Sequence, residues 1–126
     1  NLDYAHGTGH GVGYFLNVHE GLHAISKNNK VNFKEGMIVS NEPGYYENGK
    51  FGIRIENLIR VNKNKKGYSF NNLTMAPIDK TLIDKNTLRE NEISWLNNYH
   101  EDVYNNLKKF MNKSELIDLR EACSKI

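Results

Sequence analysis

The sequence predicts an α+β fold in which strands and tight turns come first and helices follow. Nine of the ten glycines lie at or before Gly52, and only Gly67 lies beyond it. Glycine permits turns and close backbone approach but disfavours helix interiors. The later part is rich in Asn, Lys, Leu and Glu, with apolar side chains at helical spacing. This change near residue 61 divides the chain into residues 1–61 and 62–126.

Short apolar runs predict the strands. The run after residue 50 alternates over its first half, with Ile53 and Ile55 on one face and Arg54 on the other. Pro43-Gly44 suits the two central positions of a type II turn. Residues 63–67 are polar and charged, which indicates an exposed turn between strands. The candidate strands are residues 11–19, 37–40, 51–61 and 69–74.

Two amphipathic helices are predicted in the later part. Thr87 and Glu90 have capping-box spacing for the start of the first helix, and the second is expected to begin at Ser114. Neither helix can bury its apolar stripe alone, so each must pack on a sheet, on the other helix or on a partner. The first stripe comprises Leu96, Tyr99, Val103, Leu107 and Phe110, and the second comprises Leu116, Leu119 and Cys123.

Composition excludes several classes of protein. The net charge is only +2, from 17 basic and 15 acidic residues, which gives no electrostatic footprint for nucleic acid or an anionic membrane. No apolar stretch is long enough to span a bilayer. Cys123 is the single cysteine, so an internal disulfide framework and a cysteine-based zinc finger are excluded. A reducing, cytoplasmic location is therefore expected.

Histidines cluster at the start of the chain. His6 and His10 stand in the run HGTGHGVG, and His19 follows nine residues after His10. The interleaved glycines argue against a helix that would present both histidines on one face. They favour bare backbone that approaches another segment closely while the imidazoles project into the same space. The alternative is a glycine-rich turn with incidental histidines.

Two glutamates complete a possible metal site. Glu42 precedes the Pro-Gly pair, and Glu56 lies in an apolar strand two residues after Arg54. Taken singly, they could be an exposed turn carboxylate and a surface Arg–Glu pair. Together with His10 they would form a mixed nitrogen and oxygen site, which suits Mn²⁺, Mg²⁺ or Zn²⁺. Because carboxylates can bridge two ions, a two-metal site that activates water is a natural outcome.

These residues carry a family resemblance. HGTGHGVGYFLNVHEG, followed by NEPGYYENGKFGIRIEN, resembles the C-terminal part of the catalytic domain of aminopeptidase P (Xaa-Pro aminopeptidase). That family belongs to the pita-bread metallopeptidases, with prolidase, methionine aminopeptidase and creatinase. The segment from Asp84 to His100 resembles the C-terminal extension of the longer, eukaryotic-type enzymes. The resemblance implies an antiparallel curved sheet with flanking helices in residues 1–61, and completing strands plus a helical tail in 62–126.

The resemblance also implies roles for individual residues. His10, Glu42 and Glu56 match metal ligands, with Glu42 also the general base and Glu56 bridging both ions. His6 matches a histidine that lines the substrate pocket, and His19 one that contacts the scissile carbonyl. The two residues implied close to these groups are Arg54, which orients acidic groups, and Tyr46. The histidines without a catalytic counterpart are His23 and His100, for which packing or surface roles are expected.

The family's site also needs two aspartates and a histidine upstream of the matching motif. Asp3 is the only acidic residue before His10, and Asp79 and Asp84 come too late to substitute. The chain is therefore expected to be the C-terminal piece of a longer polypeptide, whose remainder supplies the missing aspartate ligands.

The expected function is hydrolysis of the N-terminal peptide bond of peptides with proline in second position. The resemblance implies two divalent ions, with Mn²⁺ favoured and Zn²⁺ or Co²⁺ possible. The alternatives are prolidase, which cleaves Xaa-Pro dipeptides, and a non-catalytic pita-bread binding or scaffold protein. Expected partners are peptide substrates and a second copy of the protein, docked through the stripe from Leu96 to Phe110, with no nucleic acid or membrane.

Overall fold

Strands fill the first part of the chain and helices the last, in a computed structural model that describes residues 2–15 and 17–126. The chain divides into two compact units, the first ending at Thr74 and the second beginning at Met75. The boundary expected between residues 61 and 62 falls inside a strand that runs from Asn57 to Asn64.

Every strand pair described in the first unit is antiparallel. The strands are β1 Gly9–His10, β2 Ala24–Ile25, β3 Ile38–Asn41, β4 Gly44–Glu47, β5 Phe51–Arg54, β6 Asn57–Asn64 and β7 Gly67–Asn72. One sheet has the order β3-β6-β7, and β1-β2 and β4-β5 form two-stranded pairs. A bridge between Gly11 and Val39 ties the end of β1 to β3. Val39, Ile59 and Val61 are buried and form the apolar side of the larger sheet.

The turn between β6 and β7 agrees with the sequence. Asn64 pairs with Gly67, which leaves Lys65 and Lys66 as a two-residue exposed turn. Gly67 has φ of 129°, a backbone conformation that a residue with a side chain rarely adopts. The predicted exposed turn over residues 63–67 is confirmed.

The long strand expected at residues 11–19 is wrong for the residues that the structure describes, and Leu16 lies outside them. The strand is instead β1, followed by the single bridge at Gly11. The chain then turns away, with the N–H of Gly13 donating to the carbonyl of Asn17 over 2.8 Å and Phe15 at φ of 55°. The apolar side chains of this segment suggested a strand, but the N–H of Gly13 bonds within the segment rather than to a neighbouring strand.

Two other sequence-based expectations are corrected around the glutamates. Gly44 is not among the residues with positive φ, so Pro43-Gly44 does not form a type II turn, and Gly44 begins β4 directly. The strand expected over residues 51–61 breaks after Arg54 and resumes at Asn57. Glu56 therefore lies between two strands rather than inside one.

The second unit contains two α-helices, α1 Glu90–Leu107 and α2 Lys113–Ala122. The predicted capping pair at the start of α1 is wrong, because Thr87 belongs to a preceding 3₁₀ turn. The carboxylate of Glu92 accepts the Arg89 N–H over 2.8 Å instead. At α2, the Asn112 side chain accepts the N–H groups of Ser114 and Glu115, and this cap places the helix start one residue before the predicted one.

The core of the second unit is formed by Tyr99, Val103 and Leu119. The apolar stripe of α1 is confirmed except at its end, since Phe110 lies in a 3₁₀ turn after the helix and is exposed. Leu107 and Cys123 pack against the core from its edge. No helix among the described residues has the length and apolar character needed to cross a bilayer.

Candidate metal centre

Close approach of β1 to β3 brings the first two candidate ligands together. A Cβ on Gly9 would overlap the Ser40 carbonyl, so only glycine lets β1 lie this near β3. The N–H of Glu42 also donates to the carbonyl of Thr8 over 2.7 Å. As a result, Nε2 of His10 lies 3.4 Å from Oε1 of Glu42.

The tautomer of His10 suits a metal ligand. Its Nδ1 lies 2.9 Å from the carbonyl oxygen of Gly11, which can only accept, so Nδ1 carries the hydrogen. In the neutral ring the lone pair is then on Nε2, the atom that faces Glu42. Metal-binding histidines commonly donate their second ring N–H to a backbone carbonyl in this way.

Glu42 is held through both of its oxygens. The hydroxyl of Ser40 donates to Oε1 over 2.7 Å, and Nη1 of Arg54 donates to Oε2 over 3.1 Å. The side chain is only 12% exposed, so its orientation is fixed by these donors and not by solvent. Each carboxylate oxygen keeps a second lone pair, which leaves capacity for a cation.

Arg54 connects the two candidate carboxylates. Its Nη1 lies 3.8 Å from Oε2 of Glu56 as well as 3.1 Å from Glu42. The hydrogen bond to Tyr46, followed by the charges of the two glutamates, raises the pKa of Arg54 above its usual value. The guanidinium is therefore a permanent cation between two anions.

Tyr46 and His6 extend this network. Nε of Arg54 donates to the Tyr46 hydroxyl over 3.0 Å, and that hydroxyl lies 2.7 Å from Nε2 of His6. Nδ1 of His6 lies 2.7 Å from the carbonyl of Gly7 and must donate to it. In the neutral ring, Nε2 of His6 therefore accepts the hydroxyl hydrogen of Tyr46.

His19 joins the cluster by stacking. Its ring lies on that of His10, with the centroids 3.8 Å apart and the planes 26° apart. All seven residues singled out from the sequence thus belong to one chain of contacts in the first unit. His19 contacts His10, His10 contacts Glu42, and Glu42 contacts Arg54. Arg54 also contacts Glu56 and Tyr46, and Tyr46 contacts His6.

The described residues do not form a complete set of metal ligands. Within residues 2–15 and 17–126, no three His, Cys, Asp or Glu side chains are close enough to hold a metal ion. Glu56 in particular reaches the others only through Arg54. The chemistry of the pair formed by His10 and Glu42 fits a divalent cation, and a full site needs further donors.

The remaining histidines have structural contacts. Nε2 of His23 lies 3.1 Å from the carbonyl of Ile38, beside β3. His100 is fully buried in the second unit, where its Nε2 accepts the N–H of Ile78 over 3.0 Å.

Ser40, which ends the apolar run at residues 37–40, was not singled out from the sequence. Glu42 lies one residue past the end of β3, and the two-residue spacing, which in extended backbone puts side chains on the same side, was the signal for Ser40.

Comparison with known proteins identifies the family. Residues 1–63 match the family model described as metallopeptidase family M24. The chain belongs to metallopeptidase family M24. Residues 66–126 match a second family model, described as the C-terminal region of peptidase M24.

Curated M24 relatives include the probable Xaa-Pro aminopeptidase P of Laccaria bicolor, which is 48% identical over 98% of this chain and 21% of its own length. Another is the aminopeptidase P1 of Lotus japonicus, 53% identical over 79% of this chain and 16% of its own length. The chain therefore spans about a fifth of the length of the M24 relatives that it matches.

A solved M24 structure has the same fold. The X-prolyl aminopeptidase of Caenorhabditis elegans superposes with a TM-score of 0.87 and 40% identity, over 99% of this chain and 22% of the other. That protein is described as a cytosolic enzyme with a di-nuclear active site. The match confirms the predicted α+β class and the pita-bread assignment.

Proposed function

We propose that the polypeptide containing this chain is a metal-dependent Xaa-Pro aminopeptidase, which removes the N-terminal residue of peptides with proline in second position. The observation that carries the proposal is the facing pair formed by Nε2 of His10 and Oε1 of Glu42, 3.4 Å apart. The names of the relatives support the substrate class. The relatives named aminopeptidase P match over 98% and 79% of this chain, which supports an aminopeptidase P rather than a prolidase.

The proposed ligands in this chain are His10, Glu42 and Glu56, completed by two aspartates from elsewhere in the polypeptide. A nitrogen and oxygen donor set of this kind suits Mn²⁺, our first choice, with Zn²⁺ or Co²⁺ as alternatives. Two such ions, when bound, supply the Lewis acidity that makes water a nucleophile at neutral pH. The di-nuclear site of the nematode relative supports this number of ions.

The side chains around the ligands have separate proposed roles. Glu42 takes the proton of the attacking water, because its oxygens are held in place by Ser40 and Arg54. His19 donates to the oxygen of the scissile carbonyl as negative charge develops there. His6 lines the substrate pocket, where its acceptor atom is set by Tyr46.

We also propose that further residues of the same polypeptide cover the first unit. Every residue of β5 is exposed, including the apolar Phe51 and Ile53, and Tyr14 and Leu22 are exposed in the loop between β1 and β2. An apolar surface of this kind in a folded protein is typical of an interface. The aspartate ligands would arrive with that covering segment.

A homodimer and a cytoplasmic location complete the proposal. The stripe from Leu96 to Phe110 is not available as expected, because Leu96, Tyr99 and Val103 are buried within the second unit. The proposed docking surface for a second copy is instead formed by the exposed side chains of Trp95, Phe110 and Ile117. The cytosolic nematode relative supports the location. Light scattering on the full-length protein with and without residues 87–126 tests the dimer: loss of dimer mass on truncation supports it, and an unchanged monomer mass in both refutes it.

The activity is tested in the full-length protein with Glu42→Gln and Glu56→Gln. We expect either change to abolish hydrolysis of an Xaa-Pro-Xaa tripeptide, since an amide is a poor ligand and no base. The matched control is Glu47→Gln in β4, whose carboxylate pairs with Lys50 outside the cluster. Near-normal turnover by either site variant would refute the assignment. Cleavage of Xaa-Pro dipeptides alone would identify a prolidase, and a folded wild-type protein without bound metal would identify a scaffold.

A further inference from the structure

We propose that Ser40 is a positioning residue that fixes His10 and Glu42 relative to each other before any cation binds. The inference rests on the proposed function and extends it to a residue outside the ligand set. Ser40 lies in β3 and is fully buried, with 0% of its surface exposed. A hydroxyl buried this completely needs hydrogen-bond partners, and here both come from the candidate ligand residues.

The direction of each hydrogen bond follows from the donors available. The backbone N–H of His10 donates to Oγ of Ser40 over 2.9 Å. The single hydroxyl hydrogen of Ser40 is then free to go to Oε1 of Glu42, 2.7 Å away, in preference to the His10 carbonyl at 3.5 Å. One hydroxyl therefore accepts from one candidate ligand residue and donates to the other, although the two are 32 positions apart in the sequence.

The oxygen that Ser40 holds is the one that matters for the site. Oε1 of Glu42 accepts from Ser40 and also faces Nε2 of His10 at 3.4 Å. Loss of the hydroxyl would let this carboxylate oxygen rotate and would leave the His10 N–H without its acceptor. Hydrogen-bond partners that orient ligands typically change metal affinity by about 10- to 100-fold when they are lost.

The test uses the full-length protein as Ser40→Ala and Ser40→Thr, with Co²⁺ as the probe. Co²⁺ affinity is measured by competition with a chelator, and the visible absorption spectrum of bound Co²⁺ reports ligand geometry. We expect Ser40→Ala to weaken Co²⁺ binding by about 10- to 100-fold and to change the spectrum. Ser40→Thr keeps the hydroxyl and should restore both toward wild type.

A purely structural role is distinguished by Thr74→Val. The Thr74 hydroxyl accepts the N–H of Leu58 over 2.8 Å, a bond between β6 and the segment that follows β7 in the same unit. This variant should lower the thermal midpoint and leave Co²⁺ affinity and spectrum unchanged. Equal losses of affinity in Ser40→Ala and Thr74→Val would overturn the inference, as would wild-type affinity in Ser40→Ala. If Ser40→Ala does not fold, Ser40→Val and Ser40→Thr provide the same comparison, since valine and threonine have the same shape and only threonine has a hydroxyl.

Failure of this inference is separable from failure of the proposed function. If Glu42→Gln and Glu56→Gln lose Co²⁺ while Ser40→Ala retains it, the ligands stand and only the role of Ser40 is wrong. If the two glutamine variants bind Co²⁺ as wild type does, the metal site itself is misassigned.

Discussion

The hydroxyl of Tyr46 donates to Nε2 of His6 over 2.7 Å, which links a proposed substrate histidine to the carboxylate cluster. The same hydroxyl accepts from Nε of Arg54, and Nη1 of Arg54 reaches Glu42. Tyr46 therefore orients the imidazole of His6, and Arg54 orients both Tyr46 and the carboxylate of Glu42. A defect at either should affect catalysis more than folding, because Tyr46 and Arg54 are partly exposed.

Tyr46→Phe should lower kcat/KM for an Xaa-Pro-Xaa tripeptide by about 10- to 100-fold, the factor expected for losing a hydrogen bond to a charged group. Metal content and thermal midpoint should change little. Steady-state kinetics on the full-length protein check this. Tyr45→Phe is the matched control, since Tyr45 lies next to Tyr46 in β4 and its hydroxyl donates to Glu47 over 2.9 Å. Equal kinetics for the two variants would remove Tyr46 from the mechanism.

Arg54→Lys should not behave as a conservative change. Arginine reaches the Tyr46 hydroxyl through Nε and the carboxylates through Nη1, whereas a lysine ammonium cannot occupy both positions. We expect kcat/KM to fall by about tenfold or more. Arg60→Lys, on an exposed position of β6, is the control and should retain full activity. Wild-type kinetics in Arg54→Lys would mean that charge alone is needed.

The candidate site was predictable because its residue types occur at short, fixed spacings. The two histidines among glycines and the glutamate before Pro-Gly could each be recognised from a short stretch of sequence. The close approach of β1 to β3 could not be predicted, because β1 has only two residues and is too short to show a periodic pattern. The break before Asn57 was hidden for a different reason: Ile55 continues the alternation after the hydrogen-bonded pairing of β5 has ended.

The helices were predictable for the opposite reason. The stripe through Tyr99 and Val103 repeats often enough to exclude a strand, and both residues are in the core. The prediction failed at Phe110 because the apolar spacing in the sequence continues past Leu107, where the helix ends. The capping residue was misassigned to Thr87 because residue spacing alone does not show where the 3₁₀ turn ends and the α-helix begins.

Gly9→Ala should disrupt the first unit, whereas Gly7→Ala should not. A Cβ at Gly9 would overlap the Ser40 carbonyl, but one at Gly7 would meet its nearest atoms at 3.8 Å and 3.9 Å. Forcing β1 away from β3 should cost about 1–3 kcal/mol of stability and separate His10 from Glu42. Urea unfolding and Co²⁺ binding of the two variants check this. If both alanines are tolerated alike, the close approach of β1 to β3 is not required.

His100 should make the stability of the full-length protein depend on pH. Burial, followed by the charge of Lys80, lowers the pKa of His100 below its ordinary value of 6.5. In the folded protein Nε2 accepts the N–H of Ile78, and protonating it would break that bond.

The unfolded chain, with the ordinary pKa, therefore takes up a proton before the folded one as pH falls. The contribution of His100 is fully present above pH 6.5 and is lost progressively as pH falls toward the lower, folded-state pKa. His100→Gln keeps an acceptor for the Ile78 N–H but does not titrate, so its stability should vary less with pH than that of wild type in this range. Urea unfolding at a series of pH values between 7.5 and about 5 gives the free energy of unfolding of both proteins. The difference between the two values isolates His100, because the carboxylates titrate alike in both proteins and cancel. Parallel stability curves for wild type and His100→Gln would show that His100 is equally easy to protonate in the folded and unfolded states.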